Sequence, residues 1–208
     1  MKKYIYILMC SFCALCMMSC AETDDSSKEF DNWQARNDSY FESIYQQAED
    51  SIKAGSKKWL LLKTFSLQGD KHTNYVVVNI KKQRTPHEET RGYGPTPYST
   101  DTVRVHYRGN LMPSDSHPQG YEFDSSWAGE YNERLMTPQK FSLLGTVDGF
   151  STAIQNMHVG DRWIVYIPYA LGYKDVSSNA KIPAYSTLVF DITLHSFSRP
   201  GQPMPNFQ

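Results

Sequence analysis

No cysteine occurs after position 20 of this 208-residue chain. The four present, Cys10, Cys13, Cys16 and Cys20, crowd into the N-terminal segment, so a disulfide framework is excluded for whatever folds downstream. Stability there has to come from apolar burial. An excess of charge of one sign is missing too. The 21 Lys and Arg against 22 Asp and Glu leave a formal net charge of -1, which draws the molecule neither to nucleic acid nor to an acidic membrane surface. No apolar run reaches the roughly 20 residues that cross a bilayer. The six histidines, His72, His87, His106, His117, His158 and His195, show no spacing suited to zinc and read as surface or loop residues. No metal and no cofactor is expected. Ser125-Ser126 lacks the setting of a nucleophile elbow, and no glycine-rich phosphate loop follows a strand and opens a helix. Hydrolase and nucleotide chemistry are thereby disfavoured.

What is present begins with an export signal over residues 1–19. Met1-Lys2-Lys3 supplies a charged start, and a short apolar stretch from Tyr4 to Met18 ends at Ser19-Cys20. Met17-Met18-Ser19-Cys20 resembles a bacterial lipobox, in which the cysteine is acylated and becomes the mature N-terminus, so Cys20 is the lipid site. The plainer alternative makes these cysteines small apolar filler. The resemblance implies a chain lipid-anchored in a bacterial cell envelope, at the outer membrane, on its periplasmic or surface face. Residues 20–30, polar and acidic without periodicity, read as a flexible tether.

Trp33, Tyr40, Phe41, Ile44, Ala48 and Ile52 recur at helical spacing, with Asp31 or Asn32 as cap and Gly55 as stop. This predicts an amphipathic helix over 31–56, whose stripe either packs within the chain or forms a homodimer through residues 31–52. Between 57 and 100, Trp59–Phe65 and Tyr75–Ile80 read as strands and Thr85–Tyr98 as a loop. Strand patterns then dominate at Thr102–Tyr107, Trp163–Ile167 and Thr187–Leu194, with one or two helical turns from Gly149 to Met157. The pattern predicts an α+β domain with an antiparallel sheet and a short covering helix.

Val105-His106-Tyr107-Arg108-Gly109, Phe123-Asp124-Ser125-Ser126 and Phe141-Ser142-Leu143-Leu144-Gly145 follow one another in order. Then come Val147-Asp148-Gly149-Phe150, Met157-His158-Val159-Gly160-Asp161, Ile167-Pro168, Leu171-Gly172-Tyr173, Ile182-Pro183 and Ser186–Ile192. This series over 101–197 resembles the FKBP family of peptidyl-prolyl cis/trans isomerases, with 198–208 as a tail. The resemblance implies a curved antiparallel sheet wrapped around a short helix, with an apolar pocket between them. Tyr107, Phe123, Asp124 and Tyr173 would then be the catalytic set, and Val147, Phe150, Ile182 and Phe190 would hold the substrate. Phe150 would form the floor, the Val147 N–H would hold a substrate carbonyl, and Tyr173 would donate to one. The partners implied are X-Pro-containing polypeptides.

Isomerisation asks for such residue types. Rotation about the amide faces a barrier of about 18–20 kcal/mol, and the twisted state has lost the amide's charge separation. A poorly hydrated aromatic pocket therefore favours it over the planar forms. No nucleophile, metal or general base is required. The sequence departs from the family at Gln139, Gly172, Lys174 and Tyr185, and in enlarged loops over Leu111–Glu122 and Trp127–Thr137. These departures keep a second reading open, a non-catalytic peptide-binding module or chaperone on the same scaffold.

Overall fold

A computed structural model of the chain describes residues 29–83, 95–133, 135–179 and 181–206. The export signal, Cys20, most of the tether and His87 lie outside the described residues. From Asn32 onward the chain forms one compact unit; of the separate N-terminal unit, Met1–Asp31, only residues 29–31 are described.

Helix α1 runs Trp33–Lys53. It starts at Asn32 as read from the sequence, but the Asn32 side chain makes no cap. The residue sits in the left-handed region at φ 50°, which asparagine tolerates better than most, and its carbonyl accepts from Arg36 N–H. At the other end Gly55, at φ +86°, donates to Ile52 O and Ser56 donates to Ser51 O, the two bonds of a Schellman stop. The buried face is Trp33, Asn37, Phe41, Tyr45 and Ala48, so the stripe is narrower and rotated from the one read in the sequence. Ile52 is exposed, while Asn37 and Tyr45 enter the buried face.

Seven antiparallel strands form one sheet among the described residues: β1 (Trp59–Lys63), β2 (Tyr75–Lys82), β3 (Thr102–Leu111), β4 (Glu122–Ser125), β5 (Gln139–Ser142), β6 (Arg162–Ile167) and β7 (Leu188–Ser198), in the order β1-β2-β6-β7-β3-β4. β5 pairs with the first half of β3, and β4 with the second. The first two strands thus precede the 101–197 segment that carries the motifs, yet belong to its sheet. β2 is apolar on both faces for a reason. Val76 and Val78 join the main core, whereas Val77 packs with Phe41, Tyr45 and Ala48 of α1.

The short helix α2 (Asp148–Ile154) buries Phe150, Ala153 and Ile154 in the main core, with Val103, Val105, Val165, Ile167, Ile192 and Leu194 of the sheet. Its approach to β6 is so close that a Cβ on Gly149 would lie 2.3 Å from Ile167 Cγ2, so glycine alone fits there.

His106 corrects the reading of the histidines as surface or loop residues. It lies fully buried in β3, and neither ring nitrogen has a hydrogen-bond partner among the described residues. Alternation sends Val105 and Tyr107 to the core and His106 to the opposite face. There the enlarged loop after β4 covers it, with Tyr131 at 5.5 Å and Trp127 at 6.5 Å between ring centroids. Tyr131 in turn donates to Thr193 Oγ1 and lies under the Arg162 guanidinium, which grips Asp191 through two hydrogen bonds.

Candidate active site

A cavity of about 270 Å³ opens between β3, β4, β7, α2 and the loop that follows Leu171. All eight residues singled out by the resemblance line it. Tyr107 comes from β3, Phe123 and Asp124 from β4, Phe190 from β7, Phe150 from α2 and Val147 from the residue before it. Tyr173 and Ile182 are supplied by the loop. The walls are rings packed edge to face: Phe123 and Phe190 lie 5.5 Å apart at 85°, Phe150 and Phe190 5.3 Å apart at 74°, and Tyr107 and Phe141 5.3 Å apart at 72°. Two of these strand positions, Asp124 and Phe190, meet because both pair with Gly109 of β3. A Cβ on Gly109 would lie 2.5 Å from the Phe123 ring and 2.8 Å from that of Phe190, so the aromatic wall stands on the missing side chain.

The polar rim is fixed. Tyr107 donates its hydroxyl to Asp124 Oδ2 at 2.5 Å, while the backbone N–H of Ser125 donates to Oδ1 at 2.9 Å. Burial, and then the bond to Asp124, push the Tyr107 phenol far above the usual tyrosine range, so it stays a donor at any physiological pH. Tyr173 differs. It is 38% exposed, and among the described residues its hydroxyl has no hydrogen-bond partner. Nor does the Val147 N–H meet an acceptor among them, ahead of α2 in extended backbone. The cavity thus combines ring walls with two donors that lack an acceptor among the described residues, and the carboxylate in its lining, Asp124, is already engaged by Tyr107 and Ser125.

The loop that holds Tyr173 and Ile182 is pinned at its base. Lys174 and Tyr185, two of the family departures, take left-handed backbone at φ 62° and 61°, and Tyr185 donates to Lys174 O. A non-glycine residue there costs about 1–2 kcal/mol, offset here by the hydrogen bond and by the Tyr169–Tyr185 ring contact at 5.3 Å. Gln139 does not line the cavity; Phe141, two residues on in β5, does.

Phe141, Gly145, Thr146 and Asn179 also line the cavity and were not singled out as site residues. Phe141 stood inside a quoted motif, and its alternation in β5 could have placed it. Asn179 carried no signal, because its position depends on an isolated bridge to Ile182 within the loop.

Residues 94–195 match the family described as FKBP-type peptidyl-prolyl cis-trans isomerase. An FKBP-type 22 kDa peptidyl-prolyl cis-trans isomerase of Escherichia coli K12 is 34% identical over 139 residues, 62% of this chain and 61% of that protein. The FKBP-type peptidyl-prolyl cis-trans isomerase FkpA of Aeromonas hydrophila is 32% identical over 140 residues, 63% of this chain and 47% of that protein. The outer membrane protein MIP of Legionella longbeachae is 32% identical over 108 residues, 52% of this chain and 41% of that protein. The chain thus spans about three fifths or less of the length of these relatives. With its motifs in order, its sheet and helix in place and residues 94–195 matched, this segment of the chain belongs to the FKBP-type peptidyl-prolyl cis-trans isomerase family.

Proposed function

We propose that this protein is a peptidyl-prolyl cis/trans isomerase that acts on X-Pro segments of exported polypeptides. The observation that carries the proposal is the convergence of Tyr107, Phe123, Phe150, Ile182 and Phe190 on one cavity, with Tyr173 and the Val147 N–H as unengaged donors at its edge. The proline ring enters the aromatic box. Water is shed from the amide, the planar forms lose the solvation that favours them, and the twisted amide is reached at lower cost. Tyr173 and Val147 hold carbonyl oxygens of the substrate, while the Tyr107–Asp124 pair keeps the rim rigid. The half-exposed Tyr173 and the pinned, departing loop give the second reading its support, a peptide-binding module with slow turnover.

Proline-limited refolding of a model protein tests the two. Acceleration by the full chain, reduced about 10-fold or more in a folded Phe123→Ala variant, supports the isomerase; that reduction is the loss of about 1.4 kcal/mol of transition-state stabilisation. Tight binding of the unfolded protein without acceleration supports the module.

The place of action is part of the proposal. No helix among the described residues is long and apolar enough to cross a membrane, so in this proposal anchoring rests on acylation of Cys20; the Legionella relative is named an outer membrane protein. Radiolabelled palmitate should enter the chain, and Cys20→Ala should abolish the label. A homodimer through 31–52 would have to use the outer face of α1, since Trp33, Phe41, Tyr45 and Ala48 are buried within the chain.

A further inference from the structure

A second groove of about 380 Å³ shares Phe123 and Asp124 with the aromatic cavity and follows β4 from Glu122 to Ser126, with Trp127 and Lys181 in its walls. Its carboxylates and hydroxyls are taken up within the chain. Glu122 lies 3.1 Å from Arg108, Asp124 is held by Tyr107 and Ser125, and Ser125 Oγ donates to Trp127 O. The Ser126 hydroxyl oxygen accepts from the Tyr107 N–H. Lys181 is the exception. Its side chain is exposed, its ammonium reaches only the Phe123 carbonyl at 3.4 Å, and it has no carboxylate partner among the described residues.

Its backbone, by contrast, is held firmly. The Lys181 N–H donates to Asn179 Oδ1 at 2.7 Å, Asn179 bridges to Ile182, and Ile182 is buried in the aromatic cavity. A chain that leaves the cavity past Phe123 along this groove therefore passes the cation. Successive residues of an extended peptide are about 3.3 Å apart, so a residue one or two from the proline falls beside it.

We propose that this groove is a subsite for a residue flanking the X-Pro bond, and that Lys181 selects an acidic side chain there. The proposal rests on the substrate pocket assigned above, and it deepens that reading by naming a substrate class. Of the neighbouring carboxylates Glu122 is balanced by Arg108, whereas Asp124 is held by two neutral donors and keeps its charge, so the preference for an acidic guest is the margin by which Lys181 outweighs Asp124.

The test uses the full chain and fluorescein-labelled Leu-Pro peptides, with Glu or Gln placed two residues before the proline or directly after it. Dissociation constants and catalysed cis/trans rates are read on the same samples. At one of the two positions Glu should be favoured over Gln about 2- to 5-fold, the size of a partly exposed ion pair. The ratio should fall towards one in about 1 M salt, vanish in Lys181→Met and invert in Lys181→Glu. Equal constants for Glu and Gln in the unaltered chain, or a preference that survives Lys181→Met, overturn the subsite. A Lys181-dependent preference in binding without turnover upholds the subsite and counts against the isomerase instead. Failure to bind either peptide overturns both.

Discussion

His106 and Tyr173 occupy opposite situations, and each yields a prediction. Burial holds the His106 imidazole below its ordinary range, with His195 adding to the shift. Protonation of this group thus favours the unfolded chain, where the pKa is about 6.5. The stability it allows is complete above that pH and drains away as pH falls from there towards the lowered folded value. The rings of Trp127, Tyr131 and His195 and the charge of Glu133 face it, so its contribution is read by difference against a variant. Denaturant midpoints from pH 8 to 5 should fall less steeply in His106→Phe than in the unaltered chain; parallel curves would contradict this. For Tyr173, loss of the hydroxyl alone removes the hydrogen bond proposed to a substrate carbonyl, worth about 0.5–1.5 kcal/mol. Tyr173→Phe should therefore lower kcat/KM about 2- to 10-fold while leaving the melting temperature in place.

Between elements, the spacing of α2 on β6 and the attachment of α1 are the two sensitive contacts. Gly149→Ala forces a Cβ against Ile167 and should cost about 1–3 kcal/mol, part of which Ile167→Ala should return in a double-mutant cycle. Additive losses would show that the backbone had moved instead. On α1, Asn37 accepts from the Thr187 N–H at 2.7 Å and donates to Trp33 O, and the Trp33 indole donates to Ser186 Oγ. Asn37→Leu strands the Thr187 N–H, a cost of about 1–3 kcal/mol, and should lower the melting temperature by about 2–4 °C for each kcal/mol lost. Because Thr187 follows the loop that carries Ile182 and Tyr185, peptide binding should weaken as well. Here the limits of sequence reading are physical. Five of the seven strands and α2 were legible from periodicity and the aromatic walls from ordered motifs, whereas β4 and β5, of four residues each, are too short to show a period. Asn37 was not, since a buried amide looks like surface until its partner Thr187, 150 residues away along the chain, is known. His106 was misread because its cover comes from a loop without periodicity.

At the scale of the whole molecule, function depends on strands outside the motif-bearing segment. β2 sits between β1 and β6 and is buried on both faces, so the sheet that positions α2 and the cavity is completed by residues before Thr102. A chain cut to 101–197 would expose the β6 edge and the main core, and should fail to give the cooperative melting of the full chain. The most direct test of the account is the catalysed exchange between cis and trans forms of a neutral Leu-Pro peptide, measured by NMR with the full chain. The account predicts exchange well above the uncatalysed rate, lost in folded Phe123→Ala and only reduced in Tyr173→Phe; a folded protein that binds the peptide and leaves its exchange rate unchanged would contradict it.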